Sequence, residues 1–356
     1  MAHCPFPRQA YYERIGAATT LLPLLPRLAA GHAPLQFLQQ LILAHVSSIA
    51  FETTDVLLGL TVSLAPQDIY RKLIHAGRGG YCFEHNTLLY EALRDAGFRD
   101  VRRLSGRVTF ESMDAALGRT HLVNLITLPP RDDRSDPATP PSQWLVDVGF
   151  GGGLPGGPLL LSCTEPQRTP VGVLRVVQRD AAPELTGGWT EYAVQLQTSS
   201  KQWREMYHFD LQPQLPRDTY MQNYLINNSS IFCNALNASR VEGGWATVAA
   251  GDAQPNFVPR GTYVAAAQDT CAVSTKPSRI LDDALPLTDR LAPLEPTESH
   301  PGTPGELYDW LVEHLHIDFA QTRLPEYTVT RDQFIAAAHA RLAVFGGGTF
   351  KRPGHL

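Results

Sequence analysis

Arg78-Gly79-Gly80-Tyr81-Cys82-Phe83-Glu84-His85-Asn86, running on into Thr87-Leu88-Leu89-Tyr90-Glu91-Ala92-Leu93-Arg94-Asp95-Ala96-Gly97, combines a sharp turn with a reactive side chain. The glycine pair allows backbone angles that residues with a β-carbon avoid. Behind it, Leu88, Leu89, Ala92, Leu93 and Ala96 recur at helical spacing, and Gly97 stands where a C-terminal cap belongs. Cys82 is thus expected at or just before the first turn of a helix. The unpaired N–H groups and positive dipole end there favour an anion, and a thiol so placed shifts toward its nucleophilic thiolate. A cysteine can equally be a small buried hydrophobe, so its partners must decide.

Working outward, the 356 residues are enough for two or three domains. A hydrophobic share of 43% with 18% charged residues is ordinary for a soluble globular protein. The net charge of −5 gives no support to nucleic-acid binding, which usually shows as a basic excess. The most apolar early stretch, Leu21 to Ala30, is broken by Pro23, Pro26 and Arg27, so no membrane span is expected. No basic segment leads into a hydrophobic one at the N-terminus, so no secretory signal is read. The five cysteines are scattered without a C-x-x-C pair, which suggests neither a zinc module nor a disulfide framework. A reducing cytoplasm is the expected compartment, no metal is expected, and no protein partner is indicated.

Residues 1 to 98 read as mainly helical, with segments opening at Tyr11 to Ile15, Pro34 to Ile49 and Pro66 to Ile74 before the cysteine helix. Short β-branched or alternating runs follow at Val101 to Phe110, His121 to Leu128, Gln143 to Val148, Leu174 to Gln178, Glu191 to Thr198 and Trp203 to Phe209. They predict an antiparallel sheet or barrel over 99 to 214. Pro129 to Pro141 and Ala181 to Gly188 read as surface loops, and Leu285 to Gly305 as an exposed connector. From 215 the chain is expected to mix short strands with loops, then to form helices at Pro304 to Leu315 and Arg331 to Leu342. The tail Gly346 to Leu356 is expected to lack order.

A thiol nucleophile needs a base, and the base a third group to hold its tautomer. His121 opens one predicted strand and Asp147 ends another. Antiparallel pairing across the 129–141 loop would bring them together, with the carboxylate accepting from imidazole Nδ1 and Nε2 facing the thiol. An ordinary strand histidine and a turn-starting aspartate are the bland alternative. His45 and His75 fall on predicted helices and read as structural. The glycine-rich run from Gly149 to Gly157 could offer N–H groups to an anion, but it has neither P-loop nor dinucleotide-fold context.

The cysteine segment resembles the signature of the arylamine N-acetyltransferases, R-G-G-x-C-x-E-x-N. Similar elements are Tyr12-Glu13-Arg14-Ile15-Gly16, His45 with Ser48-Ile49-Ala50-Phe51-Glu52, and Gly106-Arg107-Val108. Thr120-His121-Leu122-Val123, Leu145 through Gly151, Pro158-Leu159 and Leu311 through Ile317 add to them. The resemblance is dense over residues 10 to 160 and patchy beyond. It implies an α+β protein: an N-terminal helical bundle (1–98), a central antiparallel β-barrel (99–214) and a C-terminal α/β lid with an extension (215–356).

The same resemblance implies a papain-like triad of Cys82, His121 and Asp147. Arg78 and Glu84 would brace the site, Phe51, Tyr81 and Phe150 would contact the amine, and Gly149, Gly151, Tyr224 and Ser229 would contact coenzyme A. The implied reaction moves an acetyl group from acetyl-CoA to an arylamine or arylhydrazine through a Cys82 thioester, with no permanently bound cofactor. The chain departs from the family where Ala50-Phe51-Glu52-Thr53 replaces the usual Pro-Phe-Glu-Asn, and Asn223 to Phe232 lacks the usual Ser/Thr-Pro pattern. Its greater length resembles fungal members, some of which prefer malonyl-CoA. A thiol hydrolase, an amide synthase fed by a carrier protein and a non-enzymatic binding module remain open on the same residues.

Overall fold

A computed structural model describes residues 4–29, 31–109, 118–130, 140–151, 155–170, 172–179, 187–198, 201–233, 235–242, 260–266, 271–274, 301–317, 319 and 324–342. The first part is helical. Helix α1 (Arg8–Arg14) buries Tyr11 and Tyr12. Helix α2 (Pro34–Ser48) starts on a proline, whose missing N–H costs little in a first turn. It ends one residue before the predicted limit and buries Phe37, Leu38, Leu41, Ile42 and Val46. The short strand β1 (Phe51–Glu52) follows. The helix expected over Pro66 to Ile74 is α-helical only at Pro66–Ile69, then becomes a π-helical turn, Tyr70–His75, carrying the buried Lys72.

Helix α3 (Cys82–Asp95) presents Leu88, Leu89, Ala92 and Leu93 to the core made with α1 and α2. Gly97 follows its end at φ +101°, a left-handed cap.

Strands β2 (Val101–Val108), β3 (His121–Leu128), β4 (Ser142–Val146), β5 (Leu159–Leu160), β6 (Gln167–Thr169), β7 (Gly172–Arg179), β8 (Glu191–Gln197) and β9 (Trp203–Asp210) come next. They form one antiparallel sheet in the order β5-β4-β3-β2-β9-β8-β7-β6. It curls until β5 approaches β7, giving the expected, nearly closed barrel. Strand β3 is covered on both faces. Val123 and Leu125 enter the barrel core with Leu104, Leu145 and Val194, whereas Ile126 and Leu128 join the helical core. Seating β3 on α3 in this way sets the spacing of the site.

The third region contains an element that the sequence reading missed. Residues 216–229, expected as loops and strands, form helix α4 (Pro216–Ser229). Its inward positions are Thr219, Asn223 and Ile226, two of them polar, so no apolar stripe announced it. Tyr220, Met221, Tyr224 and Leu225 are exposed on it. Beyond lie β10 (Leu236–Glu242), β11 (Arg260–Ala266) and β12 (Cys271–Ser274), with β1 completing an antiparallel sheet β1-β10-β11-β12. Phe51 pairs with Ser239 and Glu52 with Ala238.

Helices α5 (Pro304–Leu315) and α6 (Arg331–Arg341) start with Thr303 and Thr330 as caps, with reciprocal bonds to Glu306 and Gln333. Their core joins Leu307, Leu311 and Phe334 to Leu57 and Leu236. The architecture is α+β, as expected. Residues 131–139 and 181–186 of the predicted loops, 285–300 of the predicted connector and the tail 346–356 lie outside the described residues. No helix among the described residues is long and apolar enough to cross a membrane.

Candidate active site

The turn before Cys82 lies along β1. Gly80 N donates to Ala50 O at 3.2 Å, and Glu52 N donates to Gly80 O at 2.8 Å. A side chain at Gly79 would overlap the Ala50 carbonyl, so this close approach requires glycine. Tyr81 N donates to Glu84 Oε2 at 3.1 Å, which closes the first turn of α3. Cys82 is its first residue, buried, with Sγ 3.7 Å from the Thr120 carbonyl oxygen.

His121, next along from Thr120, is brought to the thiol by the seating of β3 on α3. The β3–β4 register pairs Asn124 with Val146. Continued by one step, it sets Asp147 opposite Val123, two residues from His121 on the same face. At that diagonal separation side chains can still meet, and here the far ring nitrogen makes the contact. His121 Nε2 is 2.7 Å from Asp147 Oδ2, and both residues are buried. This corrects the expected geometry: Nε2 holds Asp147, and Nδ1 is left for the thiol. Burial opposes a charge on His121, but the adjacent Asp147 carboxylate outweighs it and, with a hydrogen bond to Cys82, pushes the imidazole up to about 10. Burial would raise Asp147, yet His121 and hydrogen bonds from Asn86 and Gly149 hold it below the ordinary range.

Two residues whose roles the sequence reading left unassigned complete this arrangement. Asn86, one turn beyond Cys82, donates through Nδ2 to Leu122 O at 2.6 Å and Asp147 Oδ1 at 3.0 Å. Its Oδ1 accepts from Val148 N at 3.2 Å. The helical spacing from Cys82 was the signal, because it puts both side chains on one face. Tyr207 lies against His121 with ring centroids 4.8 Å apart, but nothing in its strand sequence marked it. Gly149 N donates to Asp147 Oδ1 at 2.8 Å, and a β-carbon at Gly149 would stand 2.7 Å from Cys82 Cα.

Beneath the turn is a buried cluster of five charges. Arg78 Nη2 bonds Glu52 Oε1 at 2.8 Å and Asp55 Oδ1 at 2.7 Å. Lys72 Nζ bonds Asp55 Oδ2 at 2.7 Å and Glu84 Oε1 at 2.8 Å. The C-terminal region finishes the cage: Arg78 Nη1 donates to Tyr327 O at 3.0 Å, and its guanidinium sits 5.0 Å from the Phe319 ring centroid. Among the described residues Glu84 pairs with one cation, Lys72, and burial pushes its carboxyl up to about 7 against the pull of that lysine.

Around the thiol, Phe51 packs on the cluster containing Tyr81, Cys82 and Leu122. Phe150 meets His121 edge-on, with centroids 5.1 Å apart. Gly151, at φ +73°, lies under the Phe51 ring. Tyr81 is buried and its phenol donates to Asn223 on α4. Asn223 in turn donates to Val62 O at 2.9 Å, latching α4 over the turn. Tyr224 points outward from α4 and is exposed. Ser229 is the last residue of α4, and its side chain lies outside the described residues. The structure therefore gathers Arg78, Glu84, Phe51, Tyr81, Phe150, Gly149 and Gly151 around Cys82, His121 and Asp147, and leaves Tyr224 on the outer face.

A family model described as N-acetyltransferase matches residues 34–248. The arylamine N-acetyltransferase / N-hydroxyarylamine O-acetyltransferase of Salmonella typhimurium is 36% identical over 215 residues, 60% of this chain and 65% of that protein. The arylamine N-acetyltransferase of Escherichia coli is 35% identical over 187 residues, 52% of this chain and 59% of its own length. The match thus spans less than two thirds of each relative. Among solved structures, the Salmonella typhimurium arylamine N-acetyltransferase superposes with a TM-score of 0.66 at 27% identity, covering 93% of this chain and 97% of that one. The Mycobacterium marinum arylamine N-acetyltransferase, solved in complex with CoA, shares the fold at the same TM-score, with 24% identity and the same coverage. With a matching family model over more than half its length, this chain belongs to the arylamine N-acetyltransferase family.

Proposed function

We propose that the protein transfers an acetyl group from acetyl-CoA to the nitrogen of an arylamine or arylhydrazine through a thioester on Cys82. The observation that supports this reading is the contact of His121 Nε2 with Asp147 Oδ2, which leaves the other ring nitrogen for the thiol. At rest the Cys82 proton sits on His121 Nδ1, and in the first step the Cys82 thiolate attacks the thioester carbonyl. The carbon–sulfur bond to coenzyme A breaks, and His121 returns the proton to the departing CoA thiolate. In the second step the amine attacks the enzyme thioester, His121 takes a proton from nitrogen, and Cys82 leaves as the thiolate. Asp147 holds the ring and stabilises its imidazolium. Positioned proton transfer of this kind contributes about 100- to 10,000-fold. A covalent intermediate between two half-reactions implies ping-pong kinetics.

In this reading residues 1–98 supply the nucleophile, 99–214 supply His121 and Asp147, and 215–356 cover them. Arg78 and Glu84 brace the turn, and Phe51, Tyr81 and Phe150 shape the amine pocket. Coenzyme A approaches between barrel and lid near Gly149 and Gly151, with Tyr224 and Ser229 as lid contacts. The CoA complex of the Mycobacterium marinum relative supports a CoA thioester as donor. The test is intact-protein mass spectrometry after brief separate incubations with acetyl-CoA and malonyl-CoA, without amine. One acyl increment mapped to Cys82 and discharged by an aromatic amine is expected, and the donor that gives it is named by its mass. No increment from either, on protein whose thiol still alkylates, would turn the reading to a hydrolase or carrier-dependent synthase.

A further inference from the structure

Three buried side chains outside the proposed reaction form a directed hydrogen-bond chain. Tyr11 Oη is 2.9 Å from His45 Nδ1, and His45 Nε2 is 2.9 Å from His85 Nδ1. His85 Nε2 is 3.0 Å from the Ala50 carbonyl oxygen. Tyr11 and His45 are fully buried and His85 nearly so. A carbonyl only accepts, so His85 Nε2 carries a proton and, in the neutral ring, Nδ1 is bare. Nδ1 therefore accepts from His45 Nε2, and His45 Nδ1 accepts from the Tyr11 hydroxyl. Only this arrangement satisfies every atom with both rings neutral. Burial favours that state: it lowers His45 well below its ordinary value and takes His85 down to about 4.

The chain ends on the backbone that carries a pocket wall. Ala50 O receives two donors, Gly80 N from the nucleophile turn and His85 Nε2 from α3. The next residue is Phe51, bridged in parallel to Gly80. Its ring lies nearly parallel to that of His85, at 19° with centroids 6.5 Å apart, and packs in the cluster containing Cys82. Two bonds with Gly80, at Ala50 O and Glu52 N, tie β1 to the turn, and β10 pairs with it. The His85 bond adds a side-chain anchor from α3 on Ala50, the residue before Phe51.

We propose that His85, oriented by His45 and Tyr11, is a specificity-determining positioning residue: it sets the Phe51 wall and so selects among aromatic acceptor amines, without acting in the acylation of Cys82. This rests on the acyl-transfer reading above. In that reading Phe51 shapes the amine pocket, so the consequence is expected in the second half-reaction.

The experiment separates the two half-reactions in the full-length protein and in His85→Leu, His85→Gln and His45→Leu. Acylation of Cys82 by acetyl-CoA is followed by intact mass, and discharge by aniline and by a bulky 4-substituted aniline is then timed. His85→Leu and His45→Leu should acylate like the wild type while the ratio of the two discharge rates shifts about 5- to 10-fold, the weight of one buried hydrogen bond. Glutamine keeps a donor and an acceptor at this position, so His85→Gln should restore the ratio toward wild type. An unchanged ratio in folded His85→Leu and His45→Leu overturns the proposal. So does acylation that falls as far as discharge, because the chain would then act on the nucleophile.

Wild-type protein that takes no acyl group strikes at the acyl-transfer reading instead, a different result from an acylated enzyme with an unchanged ratio. Nitrogen NMR of the wild type tests the chain without any variant. Both imidazoles should be the neutral Nε2–H tautomer at pH 7, and a charged or Nδ1–H ring at either position refutes it.

Discussion

Asn86 Nδ2 lies 3.0 Å from Asp147 Oδ1, so the helix that begins with the nucleophile also holds the carboxylate behind the base. The same side chain bonds Leu122 O on β3 and Val148 N just past β4. One amide thus ties the start of α3 to β3, which carries His121, and to the segment just past β4, which carries Asp147. Asn86→Ala should leave those buried groups unpartnered, at a cost of about 1–3 kcal/mol for each group left without a bond. Thermal unfolding should show the loss, and acylation of Cys82 should fall more steeply than the fraction unfolded accounts for.

Asp147→Asn removes the charge that holds the proton on His121. The His121 pKa of about 10 should then drop toward or below 6.5. Acyl transfer should fall about 10,000-fold, as when the carboxylate of such a triad is replaced. Imidazole titration by NMR and single-turnover acylation together check this, and an unmoved His121 titration would refute the assignment.

The raised His121 pKa also has a sign for stability. The folded state binds this proton more tightly than the unfolded chain, so the contribution is complete below about 6.5 and is lost as pH rises through about 10. Urea unfolding of wild type against His121→Gln should show the gap between the proteins narrowing across that window.

Glu84 gives a second pH window by the same rule. Its carboxyl stands at about 7 in the folded protein against an ordinary 4.5, so the protonated form favours folding. That contribution is complete below about 4.5 and is lost as pH rises through about 7. Glu84→Gln should flatten the wild-type decline between pH 5 and 8 in urea titrations. An unchanged slope would place the proton of the five-charge cluster elsewhere.

Gly149→Ala tests how closely the segment after β4 packs on α3. The added carbon would meet Cys82 Cα and Asn86 Nδ2, each at 2.7 Å. Neither can move without shifting the nucleophile or the amide that holds Asp147. A stability loss of about 1–3 kcal/mol is expected from overpacking. Acylation should fall at least about tenfold, since misplacement by an ångström costs on the order of 100-fold. Wild-type acylation by the variant would show that the contact is slack.

Much of this protein was determined locally. The glycine pair before Cys82, the apolar stripe of Leu88, Leu89, Ala92 and Leu93, and the alternating runs after Val101 specify a helix and strands, because such patterns act within a few residues. They also placed Cys82 at a helix start and His121 and Asp147 at strand ends. Tertiary structure decided which ring nitrogen of His121 meets Asp147, since that depends on the diagonal offset between β3 and β4. It alone revealed α4, whose inward face is Thr219, Asn223 and Ile226 and becomes meaningful only when Tyr81 and Val62 lie against it. It alone joined Tyr11, His45 and His85, residues 34 and 40 positions apart, into one chain ending on Ala50. Hydrogen bonds between distant side chains leave no period in a sequence; they exist once packing has brought donor and acceptor within 3 Å.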